Sequence, residues 1–148
     1  YPLDTIGNWN KLYGKDGFTQ IQLLIKQNKN NKDLLEEIIK YFSEKGFNSY
    51  LTTLKEYGEG NKNFLSFGEK GLSITLDIAL GSNFSDVYKN FEKRFSNEYI
   101  KIYLAKDSFM SKTFFKNTYS NLDNFIEFQK KVNPNSTFKS KLSKRLGL

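Results

Sequence analysis

Apolar residues recur along this chain with two distinct periods, and the switches between them mark its elements. From Phe18 to Lys26 the period is two: Thr19, Ile21, Leu23 and Ile25 fall on one side, Gln20, Gln22 and Leu24 on the other, as in a strand with one buried face. Asn28 to Asn31 reads as a turn and cap. Asn31 to Lys45 then repeats Leu34, Leu35, Ile38, Ile39 and Phe42 at helical spacing, with Gly46 placed to close the helix. Ser49 to Tyr57 is again a strand, with Leu51, Thr53 and Lys55 on one side and Tyr50, Thr52 and Leu54 on the other, and Gly58 to Asn63 reads as a flexible loop. Leu72 to Ala79 sets Leu72, Ile74, Leu76 and Ile78 against Ser73, Thr75 and Asp77. Gly81-Ser82-Asn83 turns the chain into a second amphipathic helix carrying Phe84, Val87, Tyr88, Phe91 and Phe95. Finally Ile100, Ile102 and Leu104 alternate with Lys101, Tyr103 and Ala105, predicting a strand that ends in Lys106 and Asp107.

The order strand, helix, strand, strand, helix, strand predicts an α+β domain of ferredoxin-like βαββαβ type, with an antiparallel sheet and both helices on one face. Ile21, Leu23, Ile25, Ile74, Leu76, Ile78, Ile102 and Leu104 supply the face that packs on the helices. Gln20, Gln22, Ser73, Thr75 and Tyr103 share the other, which carries amides, hydroxyls and a phenol with few charges. Such a face is either an ordinary polar surface or one that holds a ligand or another domain. Around this unit, one helical turn is expected near Trp9 to Tyr13 and extra helices follow the sheet. These are Ser108 to Asn117 with Phe109, Met110, Phe114 and Phe115, then one opened by Ser120 to Asp123 with the stripe Phe125, Ile126, Phe128 and Val132, stopped by Pro134, and a basic tail helical at its end.

Composition narrows the chemistry. The 148 residues suit one domain, and with 14 Phe and 9 Tyr its core should be aromatic. Lacking both Cys and His, the chain cannot use disulfides, thiolate nucleophiles, His-based triads or the usual zinc sites, and no metal is expected. Its net charge of +7 invites an anionic partner, but the lysines are spread along the chain and Arg occurs only at positions 94 and 145, so nucleic acid is not expected. No apolar run approaches the ~20 residues that span a bilayer. A soluble, cytoplasmic protein is expected. The chain opens on Tyr1-Pro2-Leu3-Asp4 without Met, as an excised C-terminal piece of a longer protein would. Lys106 at the rim of the sheet is the chemical candidate; the alternative for it is a solvated lysine closing a strand.

Seven stretches in order resemble FAD-linked oxidases of the vanillyl-alcohol oxidase superfamily, and within it the branch of decaprenylphosphoryl-ribose 2-oxidases. They are Tyr1-Pro2-Leu3-Asp4, Trp9-Asn10-Lys11-Leu12-Tyr13-Gly14, Phe18-Thr19-Gln20-Ile21-Gln22, Leu54-Lys55-Glu56-Tyr57-Gly58, Leu65-Ser66-Phe67, Tyr103-Leu104-Ala105-Lys106-Asp107-Ser108 and Lys144-Arg145-Leu146. The resemblance implies that residues 1–148 form the substrate (cap) domain plus a C-terminal segment that reaches the flavin. The FAD-binding domain would then lie upstream. It further implies an FAD-dependent oxidation of an alcohol carbon on a sugar or polyprenyl-phosphosugar, with hydride passing to the flavin. Tyr103 would lie against the cofactor and Lys106 would reach both flavin and substrate, serving catalysis. Tyr13, Gln20, Gln22, Lys55, Ser73 and Thr75 would line the substrate pocket. A lipid-carried substrate would bring the protein to a membrane surface. Where close relatives carry Asn and Cys on the third strand this chain has Ser73 and Thr75. Asn97-Glu98 replaces a Gly-Gly pair and Lys26 a proline, which leaves the sugar and its carrier open. The competing reading is a ferredoxin-like module that stacks single-stranded nucleic acid on its open face, and a third is a purely structural interaction domain.

Overall fold

Alternation becomes a sheet because each strand has an aliphatic side to bury. The structure, a computed structural model, describes residues 5, 7–27 and 31–148, without the side chains of residues 9 and 10; the turn expected at Asn28 to Asn31 and the opening Tyr1 to Asp4 lie outside them, Asn31 itself excepted. Strand β1 (Phe18–Lys26) pairs antiparallel with β3 (Gly71–Ala79) along its whole length, from Phe18 opposite Ala79 to Lys26 opposite Gly71. On its other side β3 pairs with β2 (Ser49–Tyr57), and β1 pairs with β4 (Ile100–Ile102), so the order is β2-β3-β1-β4 and every pairing is antiparallel. Helix α1 (Asn31–Glu44) follows β1 and α2 (Phe84–Arg94) follows β3, the ferredoxin-like arrangement that the element order predicted. A Cβ on Gly71 would collide with the Ile25 carbonyl, so only glycine lets the central ladder close at that end.

One face of this sheet is dry. Ile21, Leu23 and Ile25 of β1, Ile74, Leu76 and Ile78 of β3, and Ile100 and Ile102 of β4 pack with Leu34, Leu35, Ile38, Tyr41 and Phe42 of α1 and Phe84, Val87, Tyr88 and Phe91 of α2 in a single core. Each such side chain contributes roughly 1.5–3 kcal/mol by leaving water. Phe42 and Phe91 meet at 5.2 Å between ring centres, and the Tyr41 hydroxyl donates to the Val87 carbonyl at 2.8 Å, tying the helices together. Gly46, at φ 81°, takes the left-handed turn after α1 that other residues resist.

Beyond the sheet, α3 (Lys112–Thr118), α4 (Leu122–Val132) and α5 (Lys141–Leu146) complete the chain. The Tyr119 hydroxyl reaches back to the Ile102 carbonyl at 2.6 Å, which fixes the end of α3 on β4.

Some details depart from the sequence expectation; one is that α3 begins at Lys112 rather than Ser108. The last strand stops at Ile102: Tyr103 N–H still donates to the Gln22 carbonyl at 2.9 Å, but Lys106 N–H then donates back to Tyr103, and Leu104–Lys106 form a 3₁₀ turn. The chain leaves the sheet there because Asp107 is held elsewhere, its carboxylate accepting from Phe109 and Met110 N–H and pairing with Arg145 at 2.7 Å. Tyr50 leaves the side it should share with Thr52 and Leu54. A bulge between Ser49 and Leu51 lets its ring meet Tyr13 edge-on at 5.4 Å. Ile39 faces solvent on α1, as do Phe128 and Val132 on α4, so each apolar stripe is narrower than its spacing suggests. Strand β2, at the sheet edge, is exposed along nearly its whole length.

Candidate functional site

The uncovered face of the sheet has two ends with different chemistry. Asp77 of β3 stands opposite Gln20 of β1 at one end, and Gln20 Nε2 donates to its Oδ1 at 2.6 Å. Tyr13, from the 3₁₀ turn Trp9–Tyr13, lies over the same carboxylate with its hydroxyl 3.4 Å from Oδ2. Burial, followed by the Asp77 charge, raises the Tyr13 pKa and keeps the phenol a proton donor. Phe18 stacks on Tyr13 at 4.1 Å and Tyr50 abuts it from the bulge, so an aromatic cover leaves Asp77 only 2% exposed. Among the described residues no cation pairs with Asp77; its charge is met by neutral donors.

At the other end, Gln22 Nε2 lies 3.1 Å from Ser73 Oγ and 3.4 Å from the Tyr57 hydroxyl. Phe67 packs on Tyr57 and, at 4.9 Å, on Tyr103. Phe67 belongs to the segment between β2 and β3, which is pinned by Lys101: its ammonium donates to the Ser66 carbonyl and pairs with Glu69 at 2.6 Å. Burial alone would raise the Glu69 pKa, but the hydrogen bonds and charges of Lys101 and Lys26 outweigh it and hold the carboxyl below its usual range. Leu24, on this side of β1, is fully buried beneath the roof, outside the main core.

Lys106 belongs to the Asp77 end. Because β4 runs antiparallel to β1 with Leu23 opposite Ile102, the turn after it brings Lys106 alongside the start of β1, at the edge of the sheet, where it lines a closed crevice with Gln20 and with Thr19, Ile21, Tyr88 and Phe109 from the helix side. Lys101 is spent on Glu69. The ammonium of the half-buried Lys106 has no ion-pair or hydrogen-bond partner among the described residues. Behind it, Asp107 is 1% exposed at its side chain and anchored by Arg145 of α5, which also reaches the Asp107 and Met110 carbonyls. The turn that aims Lys106 is therefore clamped from the C-terminal helix.

The residues singled out in the sequence thus occupy one side of the sheet, apart from Lys106 at its edge, but not as equals: Gln22 and Tyr13 are buried, at 5% and 4% exposure. Gln20, Tyr103 and Lys106 are partly accessible. Lys55 is exposed on the edge strand opposite Ser73. Ser73 and Thr75 lie on the floor, at 1% and 7% exposure, and the Ser73 hydroxyl is engaged with Gln22. Sequence reasoning placed Asp77 on this face without giving it a part, and passed over Tyr50, Tyr57, Phe67 and Arg145. A lone carboxylate among neutral alternating positions was a signal for the first. Nothing local to positions 107 and 145 showed that they meet. Among the described residues no cluster of acidic side chains could hold a metal ion, and no helix is long and apolar enough to cross a membrane.

Comparison with known proteins bears on what this face serves. No protein-family model matches the chain. Over 79% of its length it is 27% identical to an uncharacterized protein in the mprA 5' region of Streptomyces coelicolor, of which it covers 32%. Over its whole length it is 30% identical to the decaprenylphosphoryl-beta-D-ribose oxidase of Mycolicibacterium smegmatis, again covering 32% of that protein. It therefore spans about a third of the length of the curated relatives it matches. With Tyr103, Gln20 and Gln22 on one face and Lys106 at its edge, the similarity read from the seven stretches extends from end to end, and the chain matches a C-terminal part of decaprenylphosphoryl-beta-D-ribose oxidase.

Proposed function

We propose that this chain is the substrate-binding and C-terminal part of an FAD-dependent oxidoreductase that oxidises an alcohol carbon of a sugar or polyprenyl-phosphosugar. The observation that carries the reading is Lys106: an ammonium without a partner among the described residues, on a turn clamped by Asp107 and Arg145 at the edge of a sheet whose open face is built from amides and hydroxyls. Full-length similarity to an oxidase of a phosphorylated sugar lipid supports it.

The residues present fit a flavin. A planar, electron-poor ring is complemented by an aromatic ledge, here Tyr103 backed by Phe67, and by an uncompensated ammonium, here Lys106. When bound, the flavin supplies the hydride acceptor. The chain's own residues do the rest: Gln20 offers its amide to sugar hydroxyls, the buried Gln22 holds the floor beneath through Ser73, Lys55 adds a positive charge at the open edge of the sheet, and the Tyr13, Phe18 and Tyr50 cover keeps water from Asp77. The FAD-binding domain of the same polypeptide would close over this face, and a lipid-carried substrate would bring the protein to a membrane surface. A single-stranded nucleic acid is less well served, because the Asp77 charge under the face opposes phosphates.

The test is the complete polypeptide that carries this sequence, purified and examined by visible absorbance and then with prenylphosphoryl-β-D-ribose. A flavin spectrum that bleaches anaerobically on addition of the sugar is expected. A colourless protein that FAD cannot reconstitute would overturn the reading.

A further inference from the structure

The Asp77 carboxylate raises a question that the proposed oxidation does not answer, since a buried anion under an aromatic cover touches no ligand. Its effect is on Gln20. An ionised carboxylate only accepts hydrogen bonds, so the Gln20 atom 2.6 Å from Asp77 Oδ1 must be the amide nitrogen. The amide cannot turn round without setting its oxygen against a buried negative charge. The Tyr13 hydroxyl, held protonated, donates to the other carboxylate oxygen and completes the lock. Gln22 has no such constraint, because the Ser73 and Tyr57 hydroxyls beside it can donate or accept.

With one N–H held by Asp77, the amide of Gln20 cannot turn, and its oxygen is fixed on the side away from the carboxylate. That Oε1 has no partner among the described residues, and Gln20 is partly exposed. This end of the face therefore offers a fixed acceptor oxygen. An alcohol satisfies it by donating its O–H to Gln20 Oε1, and a deoxy carbon has no proton to give.

We infer that Asp77 is a positioning residue that fixes Gln20 as a reader of a substrate hydroxyl, making this end of the face selective for an alcohol over its deoxy counterpart. The inference rests on the proposed oxidation for its ligand class. It adds a residue and a rule of selection.

The experiment uses the complete polypeptide and measures dissociation constants by calorimetry for a short-chain prenylphosphoryl-β-D-ribose and its 2-deoxy and 3-deoxy counterparts. In the unmodified protein one deoxy compound should bind about tenfold more weakly than the parent. Asp77→Ala should weaken the parent by about the same factor and leave that deoxy compound unmoved, so that the difference disappears. Asp77→Asn, which still offers an oxygen to Gln20, should restore it. Parent and deoxy compounds weakened alike by Asp77→Ala would make Asp77 structural and overturn the inference while leaving the oxidation intact. If Asp77→Ala does not fold, Gln20→Met decides: it must erase the same difference, and a Gln20→Met protein that still tells parent from deoxy overturns the inference. A complete polypeptide that binds none of the three compounds removes the proposed function and this inference together.

Discussion

The two faces of the sheet are made by the same strands and differ in almost everything else. Under the helices, Ile74, Leu76 and Ile78 alternate with Ser73, Thr75 and Asp77, and the first set is buried by side chains of fourteen- and eleven-residue helices. The second set is covered too, but by single aromatic side chains: Tyr13, Phe18 and Tyr50 at one end and Phe67 at the other. The helix face holds itself by area, which is tolerant in detail and costly to lose. The other face holds itself by paired polar groups, each of which matters for what it orients. One face should therefore report mutations as stability and the other as selectivity.

The largest effect should come from the helix face. Phe91→Ala removes a ring at the centre of the α1–α2 aromatic cluster and should cost about 3–5 kcal/mol in a denaturant titration. A loss below about 1 kcal/mol would mean that the core is not continuous there. Arg145→Ala comes next. It leaves the nearly buried Asp107 carboxylate without its cation, an arrangement that typically costs about 3 kcal/mol, and it should also lower activity by releasing the turn that aims Lys106. A stability loss with unchanged turnover would separate the clamp from the site.

Smaller effects test the charges at the margins. Burial raises the Glu92 pKa, so this carboxyl is protonated more readily folded than unfolded. Its ionisation opposes folding increasingly as pH rises through the raised value. Glu92→Gln keeps an oxygen for Ser111 N–H and should stabilise the protein at neutral pH by about 1 kcal/mol or less, with the gain vanishing in acid. Glu69 runs the other way. Its depressed pKa means that its contribution is present at neutral pH and lost as acid carries it through that lower value, so Glu69→Gln should flatten the acid side of the stability profile. Smallest of all, Lys55→Ala on the exposed edge strand should change stability by less than about 0.5 kcal/mol while weakening substrate binding. A melting curve and a KM measured on one preparation check both halves.

Period alone carried most of the architecture. β1 and β2 have the bounds that alternation predicts, and the side each residue of β1 and β3 faces follows from parity, because a strand has only two sides. What failed in β2 and β4 was not parity but its interruption. The Tyr50 bulge and the turn at Tyr103 each depend on a hydrogen bond to a distant partner: Ser49 Oγ accepting from Asp77 N–H in one case, Arg145 holding Asp107 in the other. The site was legible to the same extent. Gln20, Gln22, Ser73 and Thr75 could be assigned to one face from spacing. That Ser73 serves Gln22 and Asp77 orients Gln20 depends on cross-strand register, which no single stretch contains.

On the proposed function, the open face presents an alcohol to a bound flavin at the Lys106 end. The most direct measurement is anaerobic stopped-flow reduction of the complete polypeptide by prenylphosphoryl-β-D-ribose, comparing the natural protein with Lys106→Ala. A folded, flavin-containing variant is expected, its reduction slower by roughly 10²–10³-fold, the cost of removing one charge-stabilising group from such a site. Reduction at the natural rate in the Lys106→Ala protein would contradict it.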